Sequence, residues 1–308
     1  MEGTQFNWPE QGVACIPDGR VVSHHGWCIA PKDTFLGDFA LGGNFRASPV
    51  YRLSLHPATR RLEDVTLNLC SVHAAVNFCH WLLDAVGRLA LLEPAGIPLA
   101  AIDHILLPKF PGRTANWVLE RLNLPREKVI HPGKADQFRC EQLLQPSYPG
   151  SAASYPPWVV EFYRKHFPAA DAPRRGRRIY LSRRGARSVH NEAEVEAELV
   201  RCGFERFDPA GKIELQLGLA DVSHVVGVHG AALANLVFCR PGTRVLELLP
   251  SDMRHAYYYS LCDSGEMPYG VLVGKSLRER LTPCDLATQA DFTVPMNEFR
   301  AALDALTA

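Results

Sequence analysis

The sequence is missing several patterns that identify common protein classes. It has no run of 18 or more apolar residues, which predicts that no helix spans a membrane. None of the nine cysteines lies in a C-x-x-C pair, and such an odd, scattered set is typical of reduced thiols in a cytosolic protein. Neither sign of charge is in excess, since Lys plus Arg and Asp plus Glu each number 33. This balance argues against a nucleic-acid partner.

Familiar phosphate and metal motifs are also missing. The chain has no G-x-x-x-x-G-K-[ST] loop, no G-x-G-x-x-G fingerprint and no D-x-D pair. The pair His24-His25 lacks further spaced ligands, so we interpret it as part of a surface loop rather than a metal site. The first 12 residues are polar, so we expect no secretory signal peptide. With 308 residues, of which 47% are hydrophobic, the chain has the size of two globular domains.

The clearest local pattern is a strand, turn, helix and strand between residues 225 and 250. The runs 225–228 and 243–249 are apolar and strand-like, and residues 231–239 between them are predicted to be helical. Ligands of open parallel sheets bind beyond the carboxyl ends of the strands, where the turn His229-Gly230 lies. Backbone N–H groups at a helix start bind anions, so this turn is a candidate phosphate or diphosphate site. An ordinary βαβ unit with a satisfied loop histidine remains an equal alternative.

A second candidate anion feature follows the predicted strand at 177–182. The chain continues as Arg183-Arg184-Gly185-Ala186-Arg187, which brings several guanidinium groups to the carboxyl end of a strand. Because arginine binds phosphate oxygens in a bidentate manner, Arg183 and Arg184 are candidate diphosphate ligands. The alternative is a solvated basic turn.

A third pattern lies in the helix predicted at residues 77–93. Its apolar residues recur on a wide face, while His80, Asp84 and Arg88 follow one another at intervals of four. This row could face a cleft, remove a proton and bind an acceptor. The alternative is an exposed Asp84–Arg88 pair that contributes only about 0.3–0.5 kcal/mol.

Strands alternate with helices along the rest of the chain, as is typical of a doubly wound α/β fold. Further strands are predicted at 12–16, 20–23, 48–55, 64–69, 102–107, 128–131, 138–144, 204–207 and 267–273. Further helices are predicted at 113–122, 158–167, 192–202, 212–220 and 297–306. We expect a β-rich extension at 1–68, a first domain at 69–168 and a second at 169–308. Their linker is predicted at 167–178, and the ligand cleft between them.

Three blocks of this sequence resemble glycosyltransferase family 61, in particular its bacterial capsule and exopolysaccharide members. Residues 77–84 read NFCHWLLD and resemble the family's N-[YF]-x-H-W-x-x-D helix. Residues 180–184 read YLSRR and, with Asn191-Glu192, resemble a second block. The third block comprises GVHGAALAN at 227–235, PGT at 241–243 and EL at 247–248. The resemblance implies two Rossmann-like domains facing across a cleft, the GT-B type.

The resemblance also implies a function. The expected activity is inverting, metal-independent transfer of a sugar from a nucleotide-sugar donor to a glycan or lipid-linked acceptor, without a cofactor, in bacterial surface polysaccharide synthesis. The expected location is cytoplasmic, and peripheral contact with the inner membrane stays open. Two alternatives remain: a non-catalytic scaffold that binds nucleotide or polysaccharide, and a sugar-nucleotide epimerase of GT-B architecture.

Inverting transfer requires a base for the acceptor hydroxyl and positive groups for the leaving diphosphate. The expected diphosphate ligands are Arg183, Arg184, His229 and the backbone N–H groups of Gly230 and Ala231. Glu247 is expected to bind ribose hydroxyls, and Asn235 to brace the His229 loop or contact the donor. The base is expected to be Asp84 or His80, and Arg88 is expected to orient Asp84.

Overall fold

The structure is a computed structural model that describes residues 8, 10–39, 51, 52, 55, 58, 60–150, 154–168, 176–207, 221–253, 256–277 and 290–308. The chain forms two compact units, Met1–Phe162 and Tyr163–Ala308. Each is built on its own sheet, and the predicted α/β class is confirmed. Within the described residues no helix is both long and apolar enough to cross a bilayer.

The first unit is built on a mixed sheet of seven strands among the described residues. They are β1 (Val13–Val22), β2 (Trp27–Ala30), β3 (Thr34–Phe35), β4 (Arg60–Asn68), β5 (His104–Leu106), β6 (Val129–Ile130) and β7 (Gln137–Pro146). Their order is β3-β2-β1-β7-β4-β5-β6. Strands β7, β4, β5 and β6 are parallel, whereas β1, β2 and β3 form an antiparallel edge next to β7.

Residues 1–68, expected to form a separate extension, supply four of these strands. Strand β4 lies between β7 and β5, so it is central to the sheet. The reason is a shared core, since buried Ile16 and Leu62 pack in one cluster with Phe138 and Leu143. The β-rich character of this segment was predicted from local alternation, but its pairing with β7 depends on residues far along the chain.

The predicted helix at 77–93 is helical but not regular. Residues His80–Ala85 form a π-helical turn, and Val86–Leu91 form a 3-10 helix. The Nε1–H group of Trp81 donates to the carbonyl oxygen of Pro108 at 3.2 Å, and Arg88 is fully buried near the other end. Because side chains on all sides of this segment are buried, it is held from several directions rather than along one face. Such π-turns occur frequently at functional sites.

Two further helices belong to this part of the chain, α1 (Arg113–Arg121) and α2 (Pro157–His166). The division between the units falls within α2, six residues before the expected boundary at 168. Tyr163 and Phe167 pack edge-on against Phe238, with ring centroids 5.7 and 5.3 Å away, which explains why they belong to the second unit. Most of the predicted linker, the predicted helix at 212–220 and most of the predicted strand at 48–55 lie outside the described residues.

The second unit contains a largely parallel sheet. Its described strands are β8 (Arg177–Leu181), β9 (Phe204–Phe207), β10 (Val222–Val228), β11 (Arg244–Pro250), β12 (Tyr269–Ser276) and β13 (Phe292–Thr293). Its described helices are α3 (Glu192–Arg201), the 3-10 helix Ala231–Phe238, α4 (Tyr257–Ser264) and α5 (Met296–Thr307). The order is β13-β12-β11-β10-β8-β9, with only β13 antiparallel to its neighbour. The five parallel strands thus have the order 2-1-3-4-5 of a doubly wound sheet, whose direction of winding reverses between β8 and β10.

Helices cover both faces of this sheet. Val226 and Leu248 pack on one face in a core with Leu199 of α3 and Phe299 of α5. On the other face Gly227 lies beneath Leu233 of the 3-10 helix. Burial on both faces explains the apolar runs of β10 and β11. The predicted βαβ unit is confirmed, although its helix is of the 3-10 type.

Gly227→Ala is expected to destabilise this sheet, since the new Cβ would lie 2.5 Å from Cδ2 of Leu233 in a packed region. We expect the free energy of unfolding to fall by about 1–3 kcal/mol. Urea denaturation, followed by a spectroscopic signal from the second unit, measures this change. Gly270→Ala in β12 is the matched control, because its nearest neighbour would be 3.6 Å away. Equal stability of the two variants would contradict this packing.

Candidate functional site

Two of the predicted turns meet at the carboxyl edge of β8 and β10. These strands pair in parallel with Leu181 opposite Gly227, and each turn begins immediately beyond them. Nη1 of Arg183 donates to the carbonyl oxygen of His229 at 3.2 Å, and Nε donates to that of Ala186 at 2.6 Å. The guanidinium group of Arg183 is therefore fixed beside the histidine turn, at the point where the winding of the sheet reverses.

Gly230 is explained by Arg183 rather than by its own backbone conformation. Its φ angle of 167° is extended and open to any residue. A Cβ atom at this position, however, would lie 1.9 Å from Nη1 of Arg183. The carbonyl oxygen of Gly230 accepts a hydrogen bond from the hydroxyl group of Tyr258 at 2.6 Å, which holds the turn in place. Because glycine has no Cβ atom, the guanidinium group of Arg183 can lie directly beside this turn.

Arg187 is a site residue that the sequence analysis did not select. It is half-buried, and the pKa of Arg183 is lowered first by burial and then by the neighbouring Arg187 cation. Its Nη1 contacts the sulfur atom of Met253 at 3.4 Å, whereas its Nε is buried and has no hydrogen-bond partner among the described residues. Its φ angle of 66° is unusual for a non-glycine residue and indicates backbone strain. Arg184, predicted as a ligand, is exposed in the same turn.

The charge around Arg183 and Arg187 is not balanced within the described structure. Partial burial lowers the pKa of Arg187 as well as that of Arg183. Their hydrogen bonds go to carbonyl oxygens and a thioether, which are neutral acceptors. Two partly desolvated cations close together repel each other, and an anion bound between them would relieve both costs. This arrangement is suited to a phosphate or diphosphate ligand.

His229 is held from behind by a buried carboxylate. Its backbone N–H donates to the carbonyl oxygen of Leu248 at 2.9 Å, and its Nδ1 is hydrogen-bonded to Oε1 of Glu247. Oε2 of Glu247 accepts a hydrogen bond from the hydroxyl group of Tyr269. His229 is 4% exposed and Glu247 1% exposed. Glu247 therefore has both oxygens bonded inside the protein.

This position of Glu247 differs from the expected one. The residue was expected at the end of a strand with its carboxylate available to ribose, whereas it lies in the middle of β11, paired with Gly227. A lone glutamate within an apolar strand was the signal that it has a buried partner. Asn235 lies in the 3-10 helix and donates to the carbonyl oxygen of Ala232 at 2.8 Å, which braces that helix. The N–H groups of Gly230 and Ala231 lie at its start, where a helix supplies no acceptor.

In the first unit, His80 and Asp84 form a close pair. Nδ1 of His80 lies 2.5 Å from Oδ2 of Asp84, within the π-helical turn. The side chain of His80 is 15% exposed and that of Asp84 is 6% exposed, so the imidazole is the outer member. Asn77 starts the segment by accepting hydrogen bonds from the N–H groups of Cys79 and Trp81, both at 2.9 Å.

Arg88 and Asp84 are buried, so the alternative of an exposed Asp84–Arg88 pair is wrong. Arg88 is fully buried, and its Nη2 donates to the carbonyl oxygen of Cys70 at 2.8 Å. Its Nη1 lies 3.4 Å from the carbonyl oxygen of Pro146, and its guanidinium carbon lies 4.5 Å from the ring centroid of Tyr148. The close pair shown by the structure is Asp84 with His80, and the charge of Asp84 also acts on the buried guanidinium group of Arg88. That Arg88 orients Asp84 stays a prediction. Arg88 ties the segment to the rest of its unit.

One further histidine, His73, lies against this pair, and the His24-His25 pair lies in the same unit. The rings of His73 and His80 have centroids 5.1 Å apart, and His24 and His25 are 4.3 Å apart. Burial lowers the pKa of His73, and it lowers that of His25 to about 4, aided by His24 and His73. These two histidines are neutral near pH 7. The described residues contain no group of three side chains able to hold a metal ion.

Comparison with known proteins adds a family match. The family model described as Glycosyltransferase 61 matches residues 78–246, which is more than half of the 308 residues. The matched segment includes His80 and Asp84 in the first unit and Arg183 and His229 in the second. None of the curated proteins compared with the chain matches it.

Gly230→Ala is expected to alter the site and spare the fold. The new Cβ would displace the far end of a flexible arginine, so we expect a stability change below about 1 kcal/mol. Moving the Arg183 guanidinium should weaken binding of inorganic pyrophosphate about tenfold or more, measured by isothermal titration calorimetry. Full affinity in this variant would show that the position of Arg183 is unimportant for anion binding.

Proposed function

Because the chain belongs to glycosyltransferase family 61, we propose that it transfers a sugar from a nucleotide-sugar donor to a glycan hydroxyl, with inversion at the sugar carbon. The observation that carries this proposal is the pair of partly buried arginines beside His229, without a bonded carboxylate among the described residues. Diphosphate is the anion that nucleotide-sugar donors present. The expected GT-B arrangement and a role in bacterial surface polysaccharide synthesis belong to the same proposal.

The second unit binds the donor in this proposal. Arg183, Arg187 and His229 contact the diphosphate, together with the backbone N–H groups at Gly230 and Ala231. As the bond from the anomeric carbon to the diphosphate breaks, negative charge grows on the leaving oxygen. Fixed positive groups stabilise that charge without reorganisation, and this usually contributes most to the rate. These groups can stabilise the leaving diphosphate as a divalent cation does in other transferases. We therefore expect transfer to continue in the presence of a metal chelator.

The first unit supplies the base in this proposal. His80 takes the proton of the acceptor hydroxyl, whose oxygen attacks the anomeric carbon from the side opposite the diphosphate. Asp84 accepts the Nδ1–H of His80, orients the ring and stabilises the imidazolium that forms. The geometry favours His80 over Asp84 as the base because its side chain is the more exposed one. Arg88 acts as a structural residue, and Glu247 has no ribose contact in this proposal.

Arg183→Ala and Arg187→Ala should each weaken binding of uridine or guanosine diphosphate by about tenfold or more, since each removes a charge-assisted hydrogen bond. Calorimetric titration measures this. Arg178→Ala is the matched control. Arg178, in β8, is half-buried as well, but its guanidinium group is bonded to the carbonyl oxygen of Cys202 at 2.8 Å and is not part of the proposed site. Unchanged affinity in both site variants would refute the diphosphate site.

His80→Ala should lower turnover by about 10²–10⁴-fold while donor binding stays normal, and Asp84→Asn should lower it less. Release of nucleoside diphosphate from a panel of nucleotide sugars with glycan acceptors measures turnover. Full activity of both variants would show that the base lies elsewhere. Binding without turnover in the wild-type protein would favour the scaffold alternative, and interconversion of the donor without acceptor would favour the epimerase.

A further inference from the structure

The proposed donor site leaves the buried carboxylate of Glu247, behind His229, without a role. Glu247 is 1% exposed, and both of its oxygens are already hydrogen-bonded to His229 and Tyr269, so it has no part in binding the donor here. A carboxylate removed from water is costly unless it is paired and fully hydrogen-bonded. Its position in the middle of an apolar strand therefore requires an explanation beyond packing.

The groups around Glu247 limit how its charge is balanced. On β12, Tyr269 donates its hydroxyl hydrogen to Oε2, and burial followed by the charge of Glu247 raises the pKa of this phenol. On α4, burial raises the pKa of the Cys262 thiol well above its usual value. Both groups are therefore neutral at physiological pH. His229 is the basic side chain that the described structure places in contact with the carboxylate.

This contact also determines which nitrogen of His229 faces a ligand. An ionised carboxylate only accepts hydrogen bonds, so when Glu247 is ionised the proton between the two residues lies on Nδ1 of His229. Nε2 is then the nitrogen that remains for the donor. To donate from Nε2 to a phosphate oxygen as well, the ring must carry protons on both nitrogens and be a cation.

We propose that Glu247 and Tyr269 are positioning residues, which hold His229 with Nδ1–H toward Glu247 and Nε2 toward the donor diphosphate. Glu247 supplies the negative charge that lets His229 bind this diphosphate as a cation beside Arg183 and Arg187. Tyr269 occupies the second oxygen of Glu247 and so fixes the carboxylate. This inference rests on the proposed function, because it assumes that the anion at the site is a nucleoside diphosphate.

The test compares Glu247→Gln with wild type in calorimetric titrations with uridine diphosphate, guanosine diphosphate and pyrophosphate at about pH 6 and pH 8. Without the carboxylate the imidazolium is no longer compensated, and its second proton is lost more readily as the pH rises. We expect binding about ten- to a hundredfold weaker than wild type at the higher pH and a smaller loss at the lower pH. Wild-type affinity at both pH values, or an equal loss at both, would overturn the proposal.

A second variant keeps the test decisive if Glu247→Gln fails to fold. Tyr269→Phe removes one hydrogen bond to Glu247, and we expect binding about three- to tenfold weaker, again more so at the higher pH. Tyr180→Phe is the matched control, because Tyr180 makes the same kind of bond, 3.0 Å to Oε1 of Glu192, away from His229 in the same unit. Equal affinities of the two tyrosine variants would contradict the role of Tyr269.

A ligand-free measurement separates this inference from the proposed function. Proton NMR of the wild-type protein should show a strongly deshielded Nδ1–H signal that is lost in both His229→Ala and Glu247→Gln. Absence of that signal in wild type would overturn the positioning role whether or not a nucleotide binds. If the signal is present but wild type binds none of the three probes, the proposed function fails and the positioning of His229 stands.

Discussion

The parallel pairing of β10 with β8 on one side and β11 on the other is the constraint on which the proposed donor site depends. Parallel strands place their carboxyl ends at one edge, and the register aligns Leu181 with Gly227 and Gly227 with Glu247. Arg183 and His229 each lie two residues beyond such a paired position, so they reach the edge together. The winding of the sheet reverses between β8 and β10, so α3 and the 3-10 helix lie on opposite faces of the sheet. Ligands of such sheets bind at this point of reversal.

Bringing two guanidinium groups and an imidazole to one edge has a cost in the absence of ligand. The lowered pKa values of Arg183 and Arg187 express that cost, since partial burial disfavours the charged forms. Apolar packing elsewhere in the same sheet offsets this cost. Val226, Leu248 and Phe299 pack in a continuous core on one of its faces. A sheet that is well packed on one face can thus hold charges that attract an anion on its edge.

The sequence predicted those parts of the fold that depend on local pattern. The apolar runs of β10 and β11 and the turn at His229 were identified because strand period and glycine are local signals. The burial of the Arg88 side chain was not predicted from the sequence. Its partners are the carbonyl oxygens of Cys70 and Pro146, and Pro146 is 58 residues away in sequence. The partners of Glu247 are likewise 18 and 22 residues distant, so sequence suggested a role for it without its contacts.

Each unit contains an imidazole whose Nδ1 is bonded to a buried carboxylate, yet the surroundings of the two pairs differ. His80 lies beside the ring of His73, whose pKa is lowered by burial. His229 instead lies beside the guanidinium group of Arg183, which donates to the His229 carbonyl oxygen. The carboxylate fixes the ring in both cases, and this difference in neighbouring charge is the reason that we propose proton transfer for His80 and diphosphate binding for His229.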